Sequence, residues 1–301
     1  MSHTVTVAVG VDGSPESLAA ADWAAREAVL RAAVLRVVHA GEQQPHAYVP
    51  FAGEAVPAPG ADLSARMLRE VAAALRHRHP GLRITAEQVD GQPTRVLRAA
   101  AEEGELLVLG SRGLGPAAGF LLGSVSSAVV ARVERPVVLV RPSAGVTAQH
   151  GADASETAPY REIVLGLDLN NPHDAVLGFA FGAASRRGAD LRVVHGCSRP
   201  AYPVDVAGAP EERPGSEPPE LLRVMLIDTL RPWREKFPDV EVADEAVVGQ
   251  AGSHLADASR NASLVVVGRK SRHALLGPHI GPVTNAVLHH SAAPVAVVPH
   301  D

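Results

Sequence analysis

The sequence predicts an α/β protein with two tandem Rossmann-like (doubly wound) domains. Short apolar runs rich in β-branched residues alternate with helical patterns along the 301 residues. Because these runs are continuous instead of alternating with polar residues, they indicate parallel strands covered by helices on both faces. The pattern then repeats, since residues 5–12 match 161–168 and residues 136–140 match 294–298 at nearly the same separation. We therefore expect a duplicated domain of five strands and four helices, in the order βαβαβαβαβ.

The first strand and helix of each copy have recognisable boundaries. The first strand ends at Asp12, and Ser14-Pro15-Glu16 supplies a helix N-cap, a proline at the first helical position and an acidic side chain in the first turn. In the second copy, Asn171-Pro172 is expected to open the matching helix. The second strands end at His39 and His195, which we interpret as packing residues.

The helix after the second strand has an apolar face in both copies. Apolar residues spaced about four apart lie on one side of a helix, and this side is expected to pack on the sheet. The residues are Leu63, Met67, Val71 and Leu75 in copy one, and Leu222, Leu226, Leu230, Trp233 and Phe237 in copy two.

Composition marks the domain boundaries. Residues 142–159 are small and polar and contain almost no large apolar side chains, which is typical of an interdomain linker. We therefore assign domain 1 to residues 1–143, the linker to 144–159 and domain 2 to 160–301.

Charge and cysteine content exclude several classes of protein. The chain carries 28 basic and 33 acidic residues, for a formal net charge of −5, and it has no Lys/Arg-dense block, so nucleic-acid binding is not expected. The single cysteine excludes an internal disulfide framework, and no Cys/His cluster suggests structural zinc. Without a signal-peptide pattern or an apolar run of about 18 residues, no membrane association is expected, and the predicted location is the cytoplasm.

The residues after the fourth strand of copy one form a glycine-rich motif, Gly110-x2-Gly113-x9-Gly123-Ser124. Ligands of open α/β sheets bind outside the carboxyl ends of the strands. Glycines there allow close backbone approach, and the unpaired amides of a helix opening at Ser124 favour phosphate. The hydroxyls of Ser124 and Ser126 can donate further hydrogen bonds, and Asp12 is placed to accept from ribose. Any one of these glycines alone would equally suit a plain strand-to-helix turn.

This spacing resembles the nucleotide motif of ATP-binding universal stress proteins, G-2x-G-9x-G-(S/T). The resemblance includes Asp12, the Val-His-Ala end of the second strand and the terminal Pro-Val-Val-Leu-Val strand, and it covers both copies. It implies sheets of order 3-2-1-4-5, adenine near the ends of strands one and two, and ATP with Mg²⁺ coordinated through the phosphates, with no protein metal cage. The residues that it implies for nucleotide binding are Gly10, Asp12, Ala40, Leu109, Gly110, Arg112, Gly113, Gly123, Ser124, Val125 and Ser126.

Copy two departs from this pattern. A motif glycine is replaced by Ser271 and the phosphate serine by Pro282, which has no amide to donate. Arg269 or Lys270 could supply compensating charge, so the sequence leaves open whether copy two binds nucleotide. Its candidate positions are Asp168, Gly196, Val267, Gly268, Lys270, Gly281 and Thr284.

The resulting prediction is an adenine-nucleotide-binding stress-response or regulatory protein, in which occupancy acts as a conformational or association signal. The alternatives are a slow ATPase or nucleotidyl-transfer enzyme and a structural module with a dead site. No positioned catalytic base and no P-loop, GxSxG or HExxH motif is present, so no catalytic residues are assigned and at most weak ATPase activity is expected.

The last strand of each copy predicts association. Residues 137–140 and 295–298 are short and apolar, and an unpaired strand edge of this kind favours pairing. We expect the two domains to pair with each other pseudo-symmetrically, with a further homodimer as an additional possibility.

Overall fold

The computed structural model describes residues 5–41, 61–111, 122–142, 160–197, 220–271 and 280–301. They form two compact units: unit 1 is built from the described residues of 1–155 together with Ser271, and unit 2 from those of 156–270 and 280–301. The predicted linker 144–159 lies outside the described residues.

Unit 1 is a parallel sheet with a helix between each pair of successive strands. The strands pair in the order β3-β2-β1-β4-β5, which confirms the predicted order 3-2-1-4-5. The elements are β1 Thr6–Gly10, α1 Pro15–Leu30, β2 Val34–Gly41, α2 Ala61–Arg78, β3 Ile84–Asp90, α3 Pro93–Glu102, β4 Leu106–Gly110, α4 Ser124–Arg132 and β5 Val137–Val140.

Unit 2 repeats this arrangement, with strands in the order β8-β7-β6-β9-β10, all parallel. The elements are β6 Ile163–Gly166, α5 Asp174–Arg187, β7 Leu191–Cys197, α6 Glu220–Lys236, β8 Val242–Val248, α7 Ala251–Ala258, a 3-10 turn at Ser259–Asn261, β9 Leu264–Lys270, α8 Pro282–His290 and β10 Val295–His300.

The central strands are buried on both faces, as their continuous apolar runs predict. Val7, Val9, Leu107 and Val138 lose all solvent exposure. The outermost strand β3 is different, because only its first residue, Ile84, is buried. Helices therefore cover the middle of the sheet, where strands need apolar side chains on both faces.

Two details of the helix predictions are wrong. Leu63 is 71% exposed, because the buried side of α2 runs through Leu68, Val71 and Leu75. In unit 2, α5 begins at Asp174 with His173 as its N-cap, so Asn171-Pro172 precedes the helix instead of opening it. The longer loop after β6 accounts for this later start. In unit 1, α1 begins at Pro15 as predicted, and the Ser14 side chain accepts a hydrogen bond from the Ser17 N–H.

Aromatic side chains join α5 and α6 in unit 2. Phe181 is fully buried, and its ring centroid lies 5.9 Å from that of Trp233 and 5.7 Å from that of Phe237. Trp233 and Phe237 are only half-buried, so they lie at the edge of the core and not inside it as predicted. None of the helices that the structure describes is long and apolar enough to cross a membrane.

Candidate functional site

The loop after β1 presents the carboxylate of Asp12 at the carboxyl edge of the sheet. Ser14 donates to Asp12 Oδ1 twice, through its N–H at 3.0 Å and its hydroxyl at 2.5 Å. The Asp12 N–H in turn donates to the Ser17 hydroxyl at 3.2 Å. Asp12 is exposed, and an ionised carboxylate has acceptor sites beyond those that Ser14 uses. The loop therefore holds an acceptor at a fixed place beside the strand ends.

The end of β2 is held against this loop by His39. Its Nδ1–H donates to the carbonyl oxygen of Val11 at 2.8 Å, and His195 makes the same contact to Leu167 in unit 2 at 2.9 Å. The prediction that both histidines are packing residues is confirmed. Ala40 follows His39 and is half-buried, so its backbone lies at the same edge as Asp12.

The end of β4 is in close contact with the first turn of α1. A Cβ atom on Gly110 would lie 2.6 Å from the carbonyl carbon of Glu16 and 2.8 Å from the Ser17 nitrogen. Glycine is therefore required here by helix packing, whether or not a ligand also approaches. Gly10 has a similar role, since a Cβ there would overlap the side chains of Leu97 and Leu109.

The hydroxyl of Ser126 has a structural partner. It donates to the carbonyl oxygen of Gly110 at 2.9 Å and so ties the start of α4 to the end of β4. A hydroxyl has a single proton to donate, so the expected donation from this side chain to phosphate is not available in this arrangement. The Ser126 backbone N–H, in the first turn of α4, is the group that suits an anion.

The first turn of α4 has the geometry of an anion site. Gly123 is the N-cap with extended backbone (φ −60°, ψ 147°), and it offers no side chain to cap the helix. The first amide bonded within the helix is that of Ser127, which donates to the Gly123 carbonyl at 2.9 Å. The amides of Ser124, Val125 and Ser126 therefore present the positive end of the helix.

Sequence reasoning missed Arg141, which follows β5 at the same edge. Its Nε donates to the Ser111 hydroxyl at 3.3 Å, next to the paired residues Gly110 and Val140. Burial lowers the pKa of Arg141 to about 10, so the side chain still carries its charge at neutral pH. A basic residue directly after the last strand was the signal that could have identified it.

Two predicted residues of copy one, Arg112 and Gly113, lie outside the described residues. Leu109 is buried, and its side chain packs near Gly10, so only its backbone faces a ligand position. No group of three or more His, Cys, Asp or Glu side chains suited to a metal ion is found among the residues that the structure describes.

Unit 2 keeps the structural contacts and changes the helix start. Thr284 donates to the Gly268 carbonyl oxygen at 2.8 Å, as Ser126 does to Gly110. Pro282 occupies the first position of α8, so α8 lacks the N–H that Ser124 contributes at the same position of α4. Gly281, the residue before it, has open space around it. The Asn170 N–H donates to Asp168 Oδ1 at 3.0 Å, so an exposed carboxylate is again held after the first strand.

The other predicted positions of unit 2 are divided between core and surface. Gly196 is required by helix packing, because a Cβ there would overlap Ala251 at the start of α7. Val267 is buried, whereas Lys270 is exposed at the end of β9.

Fold and site together define a duplicated, doubly wound α/β protein. In each unit the carboxyl ends of the strands form one polar edge, and in unit 1 the start of α4 also belongs to this edge. The model of the universal stress protein family matches residues 4–141 and 159–299. The chain is 34% identical over 299 residues to universal stress protein Rv2005c of Mycobacterium tuberculosis, covering 97% of this chain and 96% of that protein. A universal stress protein of Mycolicibacterium smegmatis is 32% identical over 308 residues. The chain therefore belongs to the universal stress protein family and carries two such domains.

Solved structures agree on the fold. The crystal structure of a universal stress protein from Archaeoglobus fulgidus DSM 4304 covers 99% of this chain and is itself covered completely, with a TM-score of 0.66 at 15% sequence identity. The similarity at this identity concerns the fold alone.

Proposed function

We propose that unit 1 binds an adenine nucleotide, ATP with Mg²⁺ coordinated through the phosphates, and that its occupancy acts as a conformational or association signal in a stress response. The observation that carries the proposal is the pairing of two features at one sheet edge: the first turn of α4, without a side-chain cap, and the exposed carboxylate of Asp12. A molecule with phosphates at one end and ribose hydroxyls at the other suits this combination.

Each part of the nucleotide has a chemically matched group in unit 1. The amides of Ser124, Val125 and Ser126 suit the phosphates, and Asp12 suits the ribose hydroxyls. The backbones of Gly10 and Ala40 suit adenine, and those of Leu109 and Gly110 suit the ribose. Arg112 and Gly113 complete the motif.

Mg²⁺ fits this site as an ion carried by the phosphates. It binds to nucleotide oxygens, retains several waters and needs few protein ligands. The described part of the chain contains no cluster of three or more metal-binding side chains that would hold it independently.

The contacts around Gly110 support a signalling role. The backbone of Glu16 packs against Gly110, and Ser126 donates to its carbonyl oxygen, so α1, β4 and α4 meet at one residue. A ligand that contacts both Asp12 and the start of α4 would join α4 to the loop that leads into α1. It would then favour whichever arrangement of the three it binds best.

The first test is to denature the purified protein and identify any released nucleotide by chromatography and mass spectrometry. Calorimetric titration with ATP and adenosine then compares the wild type with Asp12→Asn, which keeps an acceptor for Ser14 but removes the charge. We expect Asp12→Asn to lower the affinity for both ATP and adenosine by about tenfold, which corresponds to the loss of one charge-assisted hydrogen bond. Asp168→Asn in unit 2 is the matched control. Unchanged affinity in Asp12→Asn would contradict the ribose assignment.

The same material separates a sensor from an enzyme. Stoichiometric bound ATP without turnover supports the proposal. Sustained phosphate release that disappears when Ser124 is replaced by proline would identify a slow ATPase instead.

A further inference from the structure

Two histidine rings are in contact, tilted against each other, at the carboxyl edge of unit 2. The ring centroids of His173 and His300 lie 4.4 Å apart with an interplanar angle of 35°. His173 is the N-cap of α5, and His300 is the last residue of β10, so the pair joins segments far apart in the chain. Both rings are half-buried.

The His300 ring lies over β9 at Gly268. A Cβ atom on Gly268 would come within 2.9 Å of His300 Nε2, so glycine at this position leaves room for the ring. His300 is paired in register with Lys270, the exposed last residue of β9, and Pro299 is paired with the buried Arg269. His173, His300 and Lys270 are called the cationic cluster below, whereas Arg269, one residue earlier on β9, points to the opposite face of the sheet.

Unit 1 has no such cluster at the corresponding place. There the space over Gly110 is taken by the first turn of α1, through Glu16 and Ser17, and the residue aligned with His300 is Pro142. Because α5 begins only at Asp174, its backbone does not pack against Gly268. The nearest groups to a Cβ atom there are the His300 ring, at 2.9 Å, and the Val176 side chain from the first turn of α5, at 3.3 Å. Unit 2 therefore has side chains, one of them ionisable, where unit 1 has the backbone of its first helix.

Burial lowers the pKa of His300 below its usual value of 6.5. The hydrogen bond to the backbone of Asp301 opposes this shift, and the positive groups His173, Lys270 and Arg269 add smaller decreases. Its Nδ1 contacts the carbonyl oxygen of Asp301 at 3.1 Å. The acidic groups on the adjoining loop, on the first turn of α5 and after β10 are Asp168, Asp174 and Asp301, and all three are exposed. The histidines of α8, His289 and His290, lie in its last turn, at the opposite end from Pro282.

Proton uptake at this cluster is therefore opposed by like charges and would be favoured by a bound anion. Above the pKa of His300 the ring is neutral, and an anion there contacts mainly Lys270. When the ring is protonated, the same anion neutralises a second charge and gains a charge-assisted hydrogen bond. Anion binding and protonation then strengthen each other by the same factor.

We propose that unit 2 binds a phosphate group at the cationic cluster, and that this binding is coupled to the uptake of a proton by the His173–His300 pair. This goes beyond the nucleotide site proposed for unit 1, because the groups involved belong to unit 2 alone. The phosphate group can come from inorganic phosphate or from a nucleotide.

The test uses the full chain and sulfate, because phosphate esters themselves titrate near pH 6 whereas sulfate does not. Imidazole resonances in NMR spectra follow the pKa of His300 with and without sulfate. They report on unit 2 whatever unit 1 binds. We expect sulfate to raise the pKa of His300 by about one unit and to bind roughly three- to sixfold more tightly at pH 6 than at pH 8.

Three variants make the test specific. His300→Gln should abolish the pH dependence of sulfate binding, and the matched control His290→Gln on α8 should retain it. Lys270→Gln leaves both imidazoles in place and should lower the affinity for sulfate at both pH values. It tests the proposal independently if His300→Gln is poorly folded. Equal sulfate affinity at pH 6 and pH 8 in the wild type, or unchanged binding in Lys270→Gln, would overturn the proposal.

The source of the phosphate group follows from competition against sulfate. If inorganic phosphate and AMP displace sulfate equally well, the ligand is free phosphate. If AMP displaces sulfate more strongly, the ligand is a nucleotide. Competition by adenosine alone, without any by phosphate, would also overturn the proposal, because it would show that the phosphate group contributes nothing.

Discussion

The first residue of α4 offers a direct test of phosphate binding by backbone amides. Ser124 in unit 1 corresponds to Pro282 in unit 2, so the two can be exchanged as Ser124→Pro and Pro282→Ser. Proline is well tolerated at the first position of a helix when the preceding residue is extended. Gly123 is extended, with φ −60° and ψ 147°, and α8 already begins with proline. The substitution should therefore remove one N–H without disturbing the fold.

The expected magnitude follows from that single amide. A hydrogen bond from an N–H to a charged phosphate contributes about 1.5–3 kcal/mol. The loss of this hydrogen bond in Ser124→Pro should lower the affinity for ATP by about one to two orders of magnitude. Adenosine has no phosphate, so its affinity should not change. Pro282→Ser should strengthen ATP binding by unit 2 where that unit binds nucleotide.

Calorimetry with Mg²⁺-ATP and with adenosine measures both quantities on the same protein. A thermal unfolding curve for Ser124→Pro that matches the wild type shows that the fold is intact. If Ser124→Pro then binds ATP within about twofold of the wild type, the amides of α4 do not hold phosphate. A loss of adenosine binding equal to the loss of ATP binding would also refute the reasoning, because it would place the change elsewhere than at the phosphates.

Three further predictions concern stability, each measured by chemical denaturation. Gly110→Ala should lower the free energy of unfolding by about 1–3 kcal/mol, because the new Cβ atom overlaps the α1 backbone. Gly281→Ala is the control and should lower it by less than about 1 kcal/mol, because the position has open space around it. Ser126→Ala should lower the free energy of unfolding by about 1 kcal/mol, because the hydrogen bond to Gly110 is lost. Ser126→Thr should leave it unchanged, because threonine makes the same bond in unit 2, and equal losses in the two variants would contradict this role. Phe181→Ala should cost about 3–5 kcal/mol by emptying the aromatic cluster, and Leu63→Ala on the surface of α2 should change little; similar effects would show that the burial is misassigned.

Strand order and element types could be predicted from the sequence because they depend on local patterns. Continuous apolar runs identify strands buried on both faces, and the internal repeat supplies each pattern twice. Helix details could not be predicted as well. The four-residue spacing of Leu63 with Met67 is correct for a helix, but only packing on the sheet decides that Leu68 is buried and Leu63 is not.

The candidate site shows the same division. Asp12 and the helix start at Ser124 follow from strand ends and a motif. The hydroxyl of Ser126 and the packing at Gly110 depend on contacts with α1 and β4, which local patterns do not encode. The pairing of His173 with His300 was missed for the same reason, since only the folded sheet brings them together.

The hydrogen bond from Ser126 to Gly110, repeated by Thr284 and Gly268, has an evolutionary consequence. Both copies retain this bond between helix and strand, whereas the amide at the start of the helix is present in one copy and lost in the other. The first feature stabilises the fold of each copy, and the second is absent from unit 2 while the fold persists. A duplicated domain built in this way can lose its original ligand chemistry by single substitutions, and the freed edge then becomes available for selection toward a different ligand.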